Sequence, residues 1–204
     1  NATFLRTPNL NEVQSLIEIG DGAISMITVA PELEGALDVI SYLSKSDVLA
    51  AIGHSAGNYD DALKAVDAGA ALVTHFSNGM SKLRDGKNSF AQRVLDDPQI
   101  NLELIVDGVH ISLAQVAGIF EKAPNRIILI SDAMSAAGNP DGDYKIGSLD
   151  VEVRQSVARL KSNGALAGST LTLTRAAENA MRAGVPKVLV DHATTSAPMA
   201  LLLH

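Results

Sequence analysis

The sequence predicts an α/β protein on a parallel sheet of five βα units plus a β-hairpin insertion, closed as a (β/α)8 TIM barrel. Short apolar runs alternate with amphipathic segments five times between Asn9 and Ile130. Hydrophobic residues make up 47% of the chain but aromatic residues only 3%, so Ala, Val, Ile and Leu must fill the core, as in helix-covered parallel sheets. Finally, His54, His75, Asp107 with His110, and Asp132 each fall just past the C-terminal end of an apolar run. In a barrel those ends converge on one mouth, whereas an open doubly wound sheet spreads them along an edge.

Element by element, Asn9 caps a helix with Glu12 as its capping-box partner, and the helix runs to Gly20. Residues 23–30 read as a buried strand, 33–43 as a helix and 48–52 as the next strand, closed by Gly53-His54-Ser55. Residues 58–68 are helical, with Asp60 and Asp61 favouring the positive end of the helix dipole. A short strand over 71–74 ends at His75, and a polar loop over 81–89 leads to a helix at 90–95. The strand 102–106 ends at Asp107. Ser112, with Gln115 as reciprocal partner, caps a helix to Glu121, and the strand 127–130 ends at Ser131-Asp132. Residues 133–168 break the rhythm with five glycines and alternating pieces at 149–153 and 157–160, which read as a β-hairpin lid. Helices then occupy 171–183, 186–193 and 197–203.

A length of 204 residues suits one domain, a partial catalytic barrel over residues 1–204. A net charge of −7 without a basic stripe argues against nucleic acid, and no apolar run is long enough for a membrane span. The absence of cysteine excludes a disulfide framework and thiolate metal sites and is compatible with a reducing cytoplasm. No secretory signal is visible, and the start at Asn1 suggests a longer parent chain.

His54 in GHSAG and His75 in THFSN lie one βα unit apart. Two neutral imidazoles with a carboxylate make a catalytic divalent-metal site with an open position; the alternative is two satisfied structural histidines. Asp132 reads either as a turn-forming Asp or as a general base. Asp107-Gly108-Val109-His110 and Asn78-Gly79 read as turns or as ligand contacts. Leu166-Ala167-Gly168-Ser169-Thr170, ahead of a helix, reads as a hydroxyl cap or an anion site.

Taken together, GHSAGNYDDALKAVDAGA, THFSNGMSKL, DGVH, ISDAMSAAGNPDGDYKIG and GALAGSTLTLTRAAENA resemble, in order and spacing, the successive motifs of the N-acetylglucosamine-6-phosphate deacetylases of the amidohydrolase superfamily. The Asn1–Arg6 stretch, the APE at Ala30–Glu32 and the ATTSAP near Ala193 extend the resemblance over nearly the whole chain. The family implies a metal-dependent barrel with a small β-sandwich, and hydrolysis of N-acetylglucosamine 6-phosphate to glucosamine 6-phosphate and acetate. It implies His54 and His75 as ligands of a divalent metal, Zn²⁺ or Fe²⁺, and Asp132 as the acid/base. Asn78, Gly79, Asp107, Gly108, Val109, His110, Leu166, Ala167 and Gly168 would bind the amino-sugar phosphate. A homodimer, free of nucleic acid and membrane, is implied as well. The family's third metal ligand, a Glu, its earlier strands and its sandwich would lie outside this chain. The family's phosphate-binding Arg aligns with Gly86, leaving Lys87 or Arg84 as the nearby cations. Competing readings are an N-acetylgalactosamine phosphate or another amide as substrate, and a non-catalytic partial barrel.

Overall fold

The computed structural model describes residues 5–81, 83, 86 and 88–202. Lys82, Arg84, Asp85 and Lys87 lie outside the described residues, and so does the expectation that Lys87 or Arg84 supplies a phosphate-binding cation.

The first part of the chain alternates strictly: α1 (Leu10–Gly20), β1 (Met26–Val29), α2 (Ala36–Lys45), β2 (Leu49–Ile52), α3 (Tyr59–Asp67), β3 (Leu72–Val73), α4 (Phe90–Asp96), β4 (Asn101–Ile105), α5 (Leu113–Lys122) and β5 (Ile127–Ile130). The five strands pair in parallel in the order β1-β2-β3-β4-β5. This sequential order never reverses, so the sheet lacks the switch point of a doubly wound fold.

Side-chain alternation across the strands sorts the core into two faces. Val29, Ala50, Ile52, Val73, Leu102, Leu104, Ile127 and Leu129 face the helices and pack with Ile40, Leu43, Val94 and Phe120. Ala51, Leu72 and Ile128 face the other way and are covered by Ala197 and Leu201 of α8 (Ser196–Leu202). Burying each of the larger side chains contributes about 1.5–3 kcal/mol. The helix face is dry throughout, while the other face is covered at β2, β3 and β5 and open at β1, where Met26 and Thr28 are exposed.

Helix starts follow local chemistry. Asn58 accepts from the backbone N–H of Asp60 and Asp61, while the Asp61 carboxylate accepts from the Asn58 N–H, a complete capping box at α3. At α1 the Glu12 N–H donates to the Asn9 side chain, but the Glu12 carboxylate is taken by Arg6 instead of returning to the cap. Ser112 makes no side-chain bond to the α5 backbone; its hydroxyl donates to the Gln115 side chain. In both cases a side-chain partner within reach outcompetes the expected backbone group.

The expected hairpin is a three-stranded antiparallel sheet: β6 (Gly142–Ile146), β7 (Leu149–Arg154) and β8 (Val157–Leu160). Its first strand escaped the sequence reading: GDYKI alternates inward Tyr144 and Ile146 with outward Asp143 and Lys145, but only over five residues that begin with glycine. Gln155 and Ser156, both left-handed, make the two-residue turn from β7 to β8. The sheet has its own small core of Ala136, Val151, Val153, Ala158 and Ala167. The chain leaves and rejoins the main body at one point, where Ala133 bridges Ser169 in parallel. It then continues into α6 (Leu173–Arg182), α7 (Lys187–Thr194) and α8. Among the described residues no helix is long and apolar enough to cross a membrane.

Candidate active site

Four of the five strands of the parallel sheet carry a candidate polar residue two positions past their C-terminal end. His54 follows β2, His75 follows β3, Asp107 follows β4 and Asp132 follows β5. His54, His75 and Asp132 share an unusual backbone state, with φ of 47°, 34° and 47°. Non-glycine residues adopt left-handed φ rarely and at a cost of order 1–3 kcal/mol, and such residues cluster at functional sites.

The two histidines meet. His54 Nε2 and His75 Nε2 stand 2.8 Å apart, with the rings edge-to-face at 4.4 Å between centroids. His75 is buried, and its Nδ1 has no hydrogen-bond partner. Burial first, and the neighbouring His54 second, lower the His75 pKa, so His75 is held as the neutral imidazole that can donate a lone pair. Asp132 opens on the same cavity of about 400 Å³, with Met134, Lys145, Ile146 and Gly168 on its other walls.

Glycines bring the walls close. A Cβ on Gly79 would stand 3.3 Å from His54 Nδ1, so Gly79 backs the imidazole directly, and its φ of 60° suits glycine. A Cβ on Gly168 would stand 3.2 Å from the Asp132 carbonyl, so this residue lets the strand returning from the antiparallel sheet close over the site.

Of the remaining sequence-predicted residues, Asp107, Val109, His110, Leu166 and Gly168 line a neighbouring cavity of about 170 Å³ that also touches Ser156, Thr170 and Arg175. Gly168 borders both cavities. The Asp107 carboxylate organises its own turn. One oxygen accepts from the N–H groups of Val109 and His110 at 2.8 Å, and the other meets His110 Nδ1 at 2.6 Å. Burial raises the Asp107 pKa, but these hydrogen bonds outweigh it and leave the carboxyl below its ordinary value. The Asn78 amide donates to the carbonyls of His75 and Phe76 at 3.2 Å and braces the His75 turn. Gly108 is the left-handed hinge of the Asp107–His110 turn, with φ of 82°. Ala167 is buried in the core of the antiparallel sheet.

Two residues, Glu32 and Glu103, escaped the sequence reading as parts of the site, and a third, Ser169, read there as a cap or an anion site, instead braces the Asp132 turn. Glu32 accepts from Ser55 Oγ at 2.6 Å and from the Ala56 N–H at 2.7 Å. Glu103 accepts from the His75 N–H at 3.4 Å, and burial raises its pKa. Ser169 donates its hydroxyl to the Ser131 carbonyl and its N–H to the Asp132 carbonyl. A signal existed for Glu103, a charged residue in an otherwise apolar strand; Glu32 and Ser169 sit far in sequence from the turns they hold.

Among the described residues no group of three or more His, Cys, Asp or Glu gathers to hold a metal. The two facing Nε2 atoms nonetheless suit a shared ion. Two imidazoles binding one tetrahedral ion at about 2.0–2.1 Å hold their nitrogens about 3.3–3.4 Å apart, so the observed 2.8 Å, a hydrogen-bond distance, would widen by about 0.5 Å to admit the ion.

No protein-family model matches the chain. It is 36% identical over 200 residues to the N-acetylgalactosamine-6-phosphate deacetylase of Escherichia coli O157:H7, covering 98% of this chain and 53% of that protein. It is also 36% identical over 179 residues to the N-acetylglucosamine-6-phosphate deacetylase of Vibrio furnissii, covering 88% and 45%. Its fold superposes with a TM-score of 0.93 and 34% identity on a mutant N-acetyl-D-glucosamine-6-phosphate deacetylase of Mycobacterium smegmatis in complex with N-acetyl-D-glucosamine-6-phosphate, covering 99% of this chain and 55% of that one. The chain spans about half the length of the curated relatives it matches.

Proposed function

The chain is homologous to N-acetylglucosamine-6-phosphate deacetylases over nearly its whole length, and on that footing we propose that it forms part of a metal-dependent deacetylase. The five sequentially paired strands would be an arc of a (β/α)8 barrel with its catalytic mouth at the strand C-termini. The substrate would be N-acetyl-D-glucosamine 6-phosphate, cleaved to D-glucosamine 6-phosphate and acetate. The observation that carries the reading is the convergence of His54 and His75 at 2.8 Å on the cavity that Asp132 borders.

His54 and His75 would hold a divalent ion through Nε2, with Zn²⁺ or Fe²⁺ suiting imidazole. When bound, such an ion supplies Lewis acidity: it lowers the pKa of a water and stabilises negative charge developing on the acetyl oxygen. Asp132 takes a proton from the attacking water as oxygen adds to the acetyl carbon. It returns that proton to the amide nitrogen as the C–N bond breaks, since an unprotonated amine is a very poor leaving group. Acetate and the free amine account for all atoms of substrate and water. The Asp107–His110 turn and Leu166–Gly168 would bind the sugar beside the reacting amide, consistent with the second cavity that Gly168 joins to the first. Asn78 and Gly79, at the base of the His75 turn, complete the proposed contacts. A homodimer fits the same reading.

The similarity to the Escherichia relative favours a second reading, in which the substrate is the galactosamine epimer. Acetate release from the two 6-phosphates, and from unphosphorylated N-acetylglucosamine, measured on the zinc-loaded protein, tests both. We expect the highest kcat/KM on the glucosamine 6-phosphate and loss of most bound metal in His54→Ala. Faster turnover of the galactosamine epimer would select the second reading. Full metal occupancy in His54→Ala would remove the histidine pair from metal binding.

A further inference from the structure

Among the described residues, eight other than glycine have positive φ. Asp21 is a helix C-cap, Asp47 follows the α2 C-cap, and Gln155 and Ser156 form a hairpin turn. His54, His75, Ser77 and Asp132 remain, and they lie at or beside the ends of β2, β3 and β5. Such conformations persist only where neighbours over-determine them, and here each turn has a brace from another segment. Glu103 accepts the His75 N–H through its carboxylate and the Phe76 N–H, at 2.7 Å, through its own carbonyl. Ser169 holds Ser131 and Asp132 by hydroxyl and backbone.

The His54 turn has the most complete brace. The two carboxylate oxygens of Glu32 take separate donors, Ser55 Oγ and the Ala56 N–H, at 2.6 and 2.7 Å. Ser55 Oγ accepts in turn from the Gly57 N–H at 2.9 Å, and Ser55 is only 3% exposed. Three successive residues after His54 are thereby tied to one side chain reaching over from the β1–α2 connection. Relaxing His54 to an ordinary φ would redirect its Cα–Cβ bond and swing the imidazole away from His75.

Building on the deacetylase reading, we propose that Glu32 is a positioning residue of this site. Through Ser55–Gly57 it holds His54 in the left-handed state that brings its Nε2 against His75, so it sets metal affinity and turnover without touching the metal or substrate. Its carboxylate grips backbone and hydroxyl donors, as groups behind metal ligands commonly do, and removing such partners typically costs 10–100-fold in metal affinity or activity.

The test is a zinc titration of apo-protein against a competing chelator, with kcat and KM for N-acetylglucosamine 6-phosphate, on wild type, Glu32→Ala, Glu32→Gln and Ser55→Ala. Melting temperature and circular dichroism are recorded for each. We expect Glu32→Ala to bind zinc at least about tenfold more weakly, to lose kcat in step, and to keep KM within about twofold. Glu32→Gln, whose amide oxygen can still accept one donor, should recover part of both losses. Ser55→Ala should reproduce part of the defect should Glu32→Ala fail to fold. Unchanged zinc affinity and kcat in variants that merely melt lower would make Glu32 structural and overturn the proposal. A wild-type protein that binds no zinc would instead overturn the metal reading, and the role of Glu32 with it.

Discussion

At the rim of the parallel sheet, His75 and Glu103 are buried or half-buried with shifted pKa values, and the backbone of His54, His75, Ser77 and Asp132 is left-handed. On the antiparallel sheet the charged residues pair in the open: Lys145 with Asp150, Lys161 with Asp143 and Arg154 with Glu152, all at 2.6–2.9 Å and largely solvent-exposed. The two regions spend charge differently. At the rim, desolvation makes each ionisable group sensitive to its neighbours, which tunes chemistry. On the antiparallel sheet, water screens the pairs, and the sheet is held by register and a small apolar core. Substitutions at the rim should therefore change function ahead of stability, and those on the antiparallel sheet the reverse.

The largest effect expected from this contrast is that of Asp132→Asn. An amide cannot carry the proton, so kcat should fall by roughly 10²–10⁴-fold while the melting temperature stays near wild type. A rate within a few-fold of wild type would break the comparison at its strongest point.

Val151 is fully buried in the core of the antiparallel sheet. Val151→Ala removes two methyl groups and should cost about 1.5–2 kcal/mol, read as a fall of several degrees in melting temperature. Zinc affinity should not change; a loss of zinc affinity would show that the two regions are not separable.

A smaller effect is expected from acid. The folded Asp107 carboxyl sits below its ordinary value, so its contribution to stability is present above the unfolded pKa, about 3.9, and fades as pH falls through the lower folded value. Denaturant unfolding of wild type and Asp107→Asn across that range should show a gap at neutral pH that closes on acidification. A gap independent of pH would assign the hydrogen bonds of Asp107 no role in that stability.

The smallest effect is that of Lys161→Ala, which breaks an exposed ion pair with Asp143. We expect no measurable shift in melting temperature, and a clear fall would show that this surface pair is coupled to the sheet core.

Much of the fold was legible because it rests on local signals. The βα alternation, the cap at Asn9, and the placement of His54, His75 and Asp132 at strand ends all follow from apolar periodicity and hydrogen bonding within a few residues. The first antiparallel strand, Gly142–Ile146, was not legible, because its alternation rests on only two half-buried residues, Tyr144 and Ile146, and its pairing with Leu149–Arg154 is set only in the folded sheet. Nor was the diversion of Glu12 to Arg6, a competition between two partners at similar sequence distance.

The sequence by itself determined which residues stand at the ends of which strands, since a strand's period and length are set by its own side chains. Only the tertiary structure decided how those residues meet. The 2.8 Å approach of His54 to His75 depends on left-handed backbone at both, which their own residue types disfavour. That conformation is held by Glu32 and Glu103, each more than 20 residues away along the chain, and by the space left at Gly79. Local propensity cannot encode a geometry that costs energy locally, because the stabilising groups are assembled only when the strands pair.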